Sequence, residues 1–327
     1  MRWKSWILFL LIGACAGAAA VAGQEPKPQN QTPNPAHVEA MIAALPAAAA
    51  VKPKQPRKVL VLAKAAGYVH ATIPLAARTV EEIGKKTGAW SATITYDPAD
   101  INEQNLKQYD AIFLASTTGH FLDDPNDAAA TASRRKALLD FVRGGKGLAA
   151  IHAASDSYHE TAKTDGGPSK TGPDFEVGTW PEFNRMIGGF FKWHWNDGQL
   201  IHVKVDEPDH PLNAPFKGKP QMQIVDETYT FGRNVYSRQN VRVLTSVDYD
   251  KMSAEDKAKE RFPRADGDYA LSWIRREGKG RVFYEAHGHN DKAYANTTLL
   301  EHVLRGTQYA LGDLPADDSP SVKGGTK

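Results

Sequence analysis

The chain has one cysteine among 327 residues, Cys15, and it lies in the first, apolar stretch. No disulfide can therefore form within the rest of the chain, and no cysteine nucleophile is available there. Net charge is also scarce: the formal balance is +2. Two of those charges, Arg2 and Lys4, sit in the leading segment, so the remainder is about neutral. No basic stripe interleaved with aromatics occurs, which removes the electrostatic basis for binding nucleic acid. Long apolar runs are missing as well. The longest, Trp6 to Ile12, is too short for an ordinary membrane-spanning helix. There is no internal repeat and no His-Glu-x-x-His motif.

What is present begins with MRWKSWILFLLIGACAG, a short basic start followed by an apolar run and small residues. That is the layout of a secretory signal over residues 1–22, and it predicts a periplasmic or extracellular protein. Ala20-Val21-Ala22 suits signal peptidase. Ile12-Gly13-Ala14-Cys15 suits lipidation of Cys15, which would tether the protein to a membrane. Residues 23–56 are rich in Pro, Ala, Gln and Lys and read as a disordered linker, with a short helix over His37 to Leu45. The domain spans 57–313, and residues 314–327 read as a disordered tail.

Within the domain, short apolar runs alternate with helical periodicity. Val59–Ala63, Ser91–Tyr96, Tyr109–Ser116 and Gly147–Ala153 are strands, with helices over Ile73–Lys86 and Arg134–Arg143. This alternation predicts an α/β fold with a central, mostly parallel sheet. The second half adds strand-like runs at Leu200–Val205, Ile224–Phe231, Val241–Val247, Ala270–Arg276 and Arg281–His287. The last two form a hairpin through Glu277-Gly278-Lys279-Gly280, and a final helix covers Thr297–Tyr309. Antiparallel strands are thus appended to a parallel core.

Ligands of open α/β sheets bind beyond the carboxyl ends of the strands. His70, His120, His152, Asp156, His287 and His289 follow predicted strands or end them, and the strand-like run Ile224–Phe231 carries Asp226 and Glu227. Trp193-His194-Trp195 follows a double glycine. Each has a plain alternative reading. Ser155 or Asp156 suits a helix cap, Asp226-Glu227 suits surface ion pairs, and the tryptophans suit the core. Their convergence on one edge points instead to a site. In it His152 is an acid/base, and Asp156 and Glu227 are basic or orienting carboxylates. His70, His120, His194 and His289 touch substrate, and Trp193 and Trp195 offer a platform for a sugar ring. Asp226 supports the site from behind. A divalent metal such as zinc would find ligands in His287 and His289, the one closely spaced histidine pair.

The segments VLVLAKAAGYVH, GLAAIHAASDS, MIGGFFKWH, DHP, DETYTF and GRVFYEAHGH, in that order and preceded by Lys52-Pro53-Lys54, resemble the ThuA-like, or trehalose-utilisation, family. The resemblance runs from Arg57 to Asp313. It implies a flavodoxin-like sandwich similar to the class I glutamine amidotransferases. Those enzymes carry a nucleophilic cysteine at a strand-to-helix turn where this chain has His152, so glutamine hydrolysis through a thioester is excluded. The resemblance further implies disaccharide catabolism through 3-keto-glycosides supplied by a partner dehydrogenase. The expected activity is acid/base chemistry on trehalose-like sugars or their 3-keto derivatives, with a non-catalytic carbohydrate-binding module as the alternative.

Overall fold

The computed structural model describes residues 29–159, 176–195 and 198–322. The segment expected to be an export signal, with Cys15, lies outside the described residues, as does most of the Gly- and Pro-rich segment after His159. No helix among the described residues is long and apolar enough to cross a membrane.

The strands are β1 (Lys58–Leu62), β2 (Ser91–Thr95), β3 (Ala111–Ala115), β4 (Gly147–Ile151), β5 (Phe191–His194), β6 (Gln199–Val205), β7 (Gln223–Asp226), β8 (Tyr229–Phe231), β9 (Arg242–Val247), β10 (Ala270–Glu277) and β11 (Gly280–Glu285). Nine of them form one sheet in the order β2-β1-β3-β4-β11-β10-β9-β6-β7, and β5 pairs with β8 separately. Pairing is parallel from β2 through β4 to β11. It turns antiparallel at the β10–β11 hairpin and stays so to β7. The sheet is the mixed α/β architecture expected, with the hairpin joining its two halves.

The helices are α1 (Pro35–Ala44), α2 (Ile73–Thr87), α3 (Glu103–Leu106), α4 (Ala128–Arg143), α5 (Pro181–Ile187), α6 (Ala254–Ala258) and α7 (Thr297–Ala310). α2 buries Ile73, Ala76, Ala77, Val80 and Ile83 at helical spacing and ends at Gly88, whose φ of 69° is a left-handed cap. α4 starts earlier than its periodicity suggests. The Asp127 side chain accepts from Ala130 N and adds a turn and a half of alanine-rich helix. β3 and β4 are buried along their whole length; α2 packs on β3, and α7 and α4 pack on β4 and β11.

Two expectations of disorder do not hold over the described residues. From Gln29 the chain is packed on the domain. Gln29 bonds Ala63 O and Ala65 N, and Met41 of α1 is fully buried. Gln308 accepts from Ala50 N and Val51 N, and Asp313 binds Lys54 N and the Arg57 guanidinium. After Leu314, Asp317 pairs with Arg242, Asp318 with Arg276, and Ser321 with the backbone of β9. Polar, proline-rich composition argues for disorder only while backbone groups lack partners. Here groups distant in the chain supply them, Gln308 and Asp313 from more than 250 residues away.

Candidate functional site

The strand β4 ends at Ile151, and the chain turns at once into a short 3-10 segment, His152–Asp156. His152 has φ +51° at this turn, and Ser116, just after β3, has φ +53°. Left-handed backbone at a non-glycine residue is costly and persists where surroundings over-determine it. At His152 the surroundings do so. Nδ1 lies 3.0 Å from Ala286 O, and Nε2 lies 3.0 Å from the Tyr229 hydroxyl. A carbonyl can only accept, so Nδ1 carries the proton and Nε2 presents its lone pair. Burial, followed by the neighbouring His70, holds His152 well below the ordinary histidine range, so it is neutral at pH 7.

The expected single strand over 224–231 is two strands in different sheets. The chain leaves the large sheet after Asp226 and joins β5 at Tyr229, and Glu227 and Thr228 make the crossing. This crossing is what puts the Glu227 carboxylate among imidazoles. Its Oε2 is 3.2 Å from His289 Nδ1 and 3.6 Å from His152 Nε2, and its Oε1 is 3.3 Å from His194 Nδ1. Asp226 holds the opposite strand end. Its buried carboxylate accepts from Glu227 N (2.9 Å), Gly288 N (2.8 Å) and Asn290 N (3.2 Å), and so ties the segment carrying His289 to the segment carrying Glu227. The rings of His70, His152 and His289 meet edge to face, with centroids 4.8–5.5 Å apart. His70 is pushed down to about 3 by burial and then by His289 and His194.

These groups border a cavity of about 440 Å³. His70, Asp156, His194, Glu227 and His289 line it, together with three aromatics that sequence reasoning passed over: Tyr68, Phe191 and Tyr229. His152 lies beneath this lining, fully buried, and reaches the cavity through Tyr229. Asp156 is held by His159 (2.7 Å), and burial raises its pKa against that partner. The one signal for Tyr229 was its place in DETYTF, three residues after Asp226.

Four of the expected site residues are not brought there. His120 is exposed and binds Asp123 and Thr179, beside a different depression. Trp195 is buried in the core, with its indole N–H on Asp256 O, so it offers no face to a sugar. Trp193 packs against Trp195, because the bulge in β5 turns Phe191 and His194, not Trp193, toward the cavity. His287 turns away from His289 and binds Glu285 Oε1 at 2.6 Å, so it is not a partner of His289 at a metal. The other oxygen of Glu285 binds His302 at 2.9 Å, completing a fully buried charged cluster behind the site.

The donor set has the chemistry of a divalent-metal centre. One ligand atom from each of His70, His152, Glu227 and His289 lies within 4.8 Å of the others. Three imidazoles and a carboxylate suit zinc. The His152 Nδ1–H bond to a backbone carbonyl is the second-sphere contact that aims a histidine's other nitrogen at a metal. His70 Nδ1 is buried and without a hydrogen-bond partner among the described residues. The residues therefore fit a metal, with His289 and not His287 among its ligands.

The fold has solved counterparts. A ThuA-like protein from Bacteroides uniformis is 20% identical, with a TM-score of 0.56, and the match covers 79% of this chain and 93% of that one. A ThuA-like protein from Parabacteroides merdae is 17% identical, with a TM-score of 0.50 and coverage of 83% and 100%. At these identities the likeness concerns the fold. No protein of curated function matches the sequence. The family model for ThuA, trehalose utilisation, matches residues 58–310, from the first strand of the sheet to the last residue of α7, and the chain therefore belongs to the ThuA family.

Proposed function

We propose that this protein is an exported enzyme that cleaves 3-keto derivatives of trehalose-like disaccharides by proton transfer. Membership of a trehalose-utilisation family supports a carbohydrate-related role. The observation that carries the enzymatic reading is the convergence of Asp156, Glu227 and three histidines on one cavity. Binding alone does not require so many titratable groups, nor imidazoles depressed as far as His70 and His152.

A 3-keto group acidifies the C–H bond at C2. The Tyr229–His152 pair is the base: Tyr229 takes the C2 proton as its own passes to His152 Nε2. The C2–H electron pair moves into the C1–C2 bond, the C1–oxygen bond breaks, and the leaving oxygen takes a proton from Asp156. Burial raises the Asp156 carboxyl above its ordinary value and so favours the protonated form that this step uses. His70 and His289 face the developing charge on the ketone oxygen. The Glu227 carboxylate would repel that charge, and the four-residue donor set supports a second reading in which His70, His152, Glu227 and His289 hold a zinc ion. Such an ion would act as a Lewis acid on the ketone. In that state His152 Nε2 is a ligand, and Asp156 is the remaining proton carrier.

The test is turnover of trehalose and of 3-keto-trehalose by the purified protein, followed by NMR with and without added zinc. We expect consumption of the keto-sugar alone, and at least a hundredfold loss in His152→Ala with its fold intact. Full activity in that variant would remove both readings of His152. Turnover of neither sugar, with clear binding of one, would make the protein a carbohydrate-binding module.

A further inference from the structure

Tyr68 is the most exposed of the large hydrophobic side chains among the described residues, at 66%, and the only aromatic in that group. Single exposed apolar side chains are ordinary. This one differs in where it stands and in how firmly its backbone is held. Its ring lines the cavity and meets His70 edge to face, with centroids 4.7 Å apart.

The loop that carries it is clamped to the segment after β3. Thr118 Oγ1 donates to Tyr68 O at 2.8 Å and accepts from Gly67 N at 3.2 Å, while Ala66 N donates to Thr118 O at 2.9 Å. Gly67 and Gly119 pack backbone to backbone. A Cβ on Gly119 would stand 2.6 Å from Gly67 N, so the approach requires glycine, as does Gly119's φ of +59°. Thr118 is itself fully buried. A rigid backbone therefore presents a solvent-facing aromatic at the rim of a polar cavity. Ordering such a side chain in advance lowers the entropic cost of stacking a ligand on it.

The polar groups lie deeper than Tyr68. Asp156, Glu227 and Tyr229 line the same cavity as Tyr68, so a sugar ring held by those groups has Tyr68 within the same opening for its substituent. We propose that Tyr68 is the stacking platform for the second ring of a disaccharide, the part released on cleavage, and so sets the preference for disaccharides over simple glycosides. The apolar C–H face of a pyranose suits an aromatic face. This role is the one the sequence suggested for Trp193 and Trp195. The inference rests on reading the site as a keto-sugar site.

The test compares KM and kcat for 3-keto-trehalose and for methyl 3-keto-α-glucoside, whose second ring is replaced by a methyl group. It uses the full chain as wild type, Tyr68→Ala and Tyr68→Phe, each checked by thermal melting. Tyr68→Ala should raise KM for 3-keto-trehalose about three- to tenfold with kcat within about twofold, and raise KM for the methyl glycoside by a clearly smaller factor. Tyr68→Phe keeps the ring and should behave as wild type. Equal KM values for wild type and Tyr68→Ala on an active enzyme would overturn the platform while leaving the keto-sugar reading in place. Equal losses on both substrates would overturn the assignment to the second ring. If the wild type neither binds nor turns over either compound, the keto-sugar reading falls and this inference falls with it.

Discussion

Replacing Glu285 by Gln should destabilise the protein substantially although Glu285 does not touch the cavity. The carboxylate is buried and receives His287 Nδ1 at 2.6 Å and His302 Nδ1 at 2.9 Å. These imidazoles hold it far below the ordinary carboxylate range against the cost of burial, and it in turn raises His287. Glutamine is nearly isosteric, so little packing is lost. What is lost is the charge opposite His287, and removing one member of a buried pair costs about 3–5 kcal/mol. For a chain of this size about 2 °C of melting temperature accompanies each kcal/mol, so the midpoint should fall by roughly 6–10 °C. The sign with pH follows from the two shifts. His287 is raised in the folded state, so its contribution is fully present below the unfolded value of about 6.5 and fades as pH rises through the folded value. Glu285 is lowered, so its contribution is present above the ordinary carboxylate value and is lost only in strong acid. The gap between wild type and Glu285→Gln should therefore be widest near pH 6 and narrower near pH 9.5. Urea titrations at both pH values measure it. A gap under 1 kcal/mol, or one identical at the two pH values, would refute the assignment of a charged His287.

Two further outcomes are expected. Gly288→Ala places a Cβ 2.7 Å from Tyr294 Oη and 3.3 Å from His152 Cβ at a φ of +132°. It should cost about 1–3 kcal/mol in urea unfolding and lower kcat more than Tyr68→Ala does, because the neighbouring residue is His289. Folded His70 titrates near 3, well below its unfolded value. The unfolded chain therefore binds the proton first, and stability should fall as pH drops from about 6.5 toward 3, by at most about 1.4 kcal/mol per pH unit from this group. His70→Asn should show a shallower slope over that range in thermal melts, and an unchanged slope would refute a buried neutral His70.

Much of the scaffold was legible because its signals are local. Val59–Ala63 and Gly147–Ala153 are continuous apolar runs, and continuous apolar runs of that length suit strands covered on both faces. Gly88 stops α2 and Glu277-Gly278-Lys279-Gly280 turns the hairpin through chemistry contained in a few residues. His70, Asp156 and His289 could be nominated because each follows a strand, and Glu227 because a strand-like run carries it beside Asp226. Trp193 and Trp195 were misjudged because the double glycine before them gave no strand, and the bulge in β5 that turns Phe191 and His194 to the cavity leaves no local signal. The segments flanking the domain were misjudged because Gln308, Asp313 and Arg242 supply partners that composition cannot reveal.

The sequence by itself therefore determined the strands and helices of the parallel half and the β10–β11 hairpin, the lack of a cysteine nucleophile in the domain, and the residue types available beyond the strand ends. Those follow from periodicity, turn chemistry and composition, which act over a few residues. Only the tertiary structure decided which of those residues meet. The break between β7 and β8 sends Glu227 to His289, His194 and His152, while His287 turns to Glu285 and His120 to Asp123. Whether a side chain joins a site depends on contacts between strands far apart in the chain and on backbone irregularities that no local pattern records.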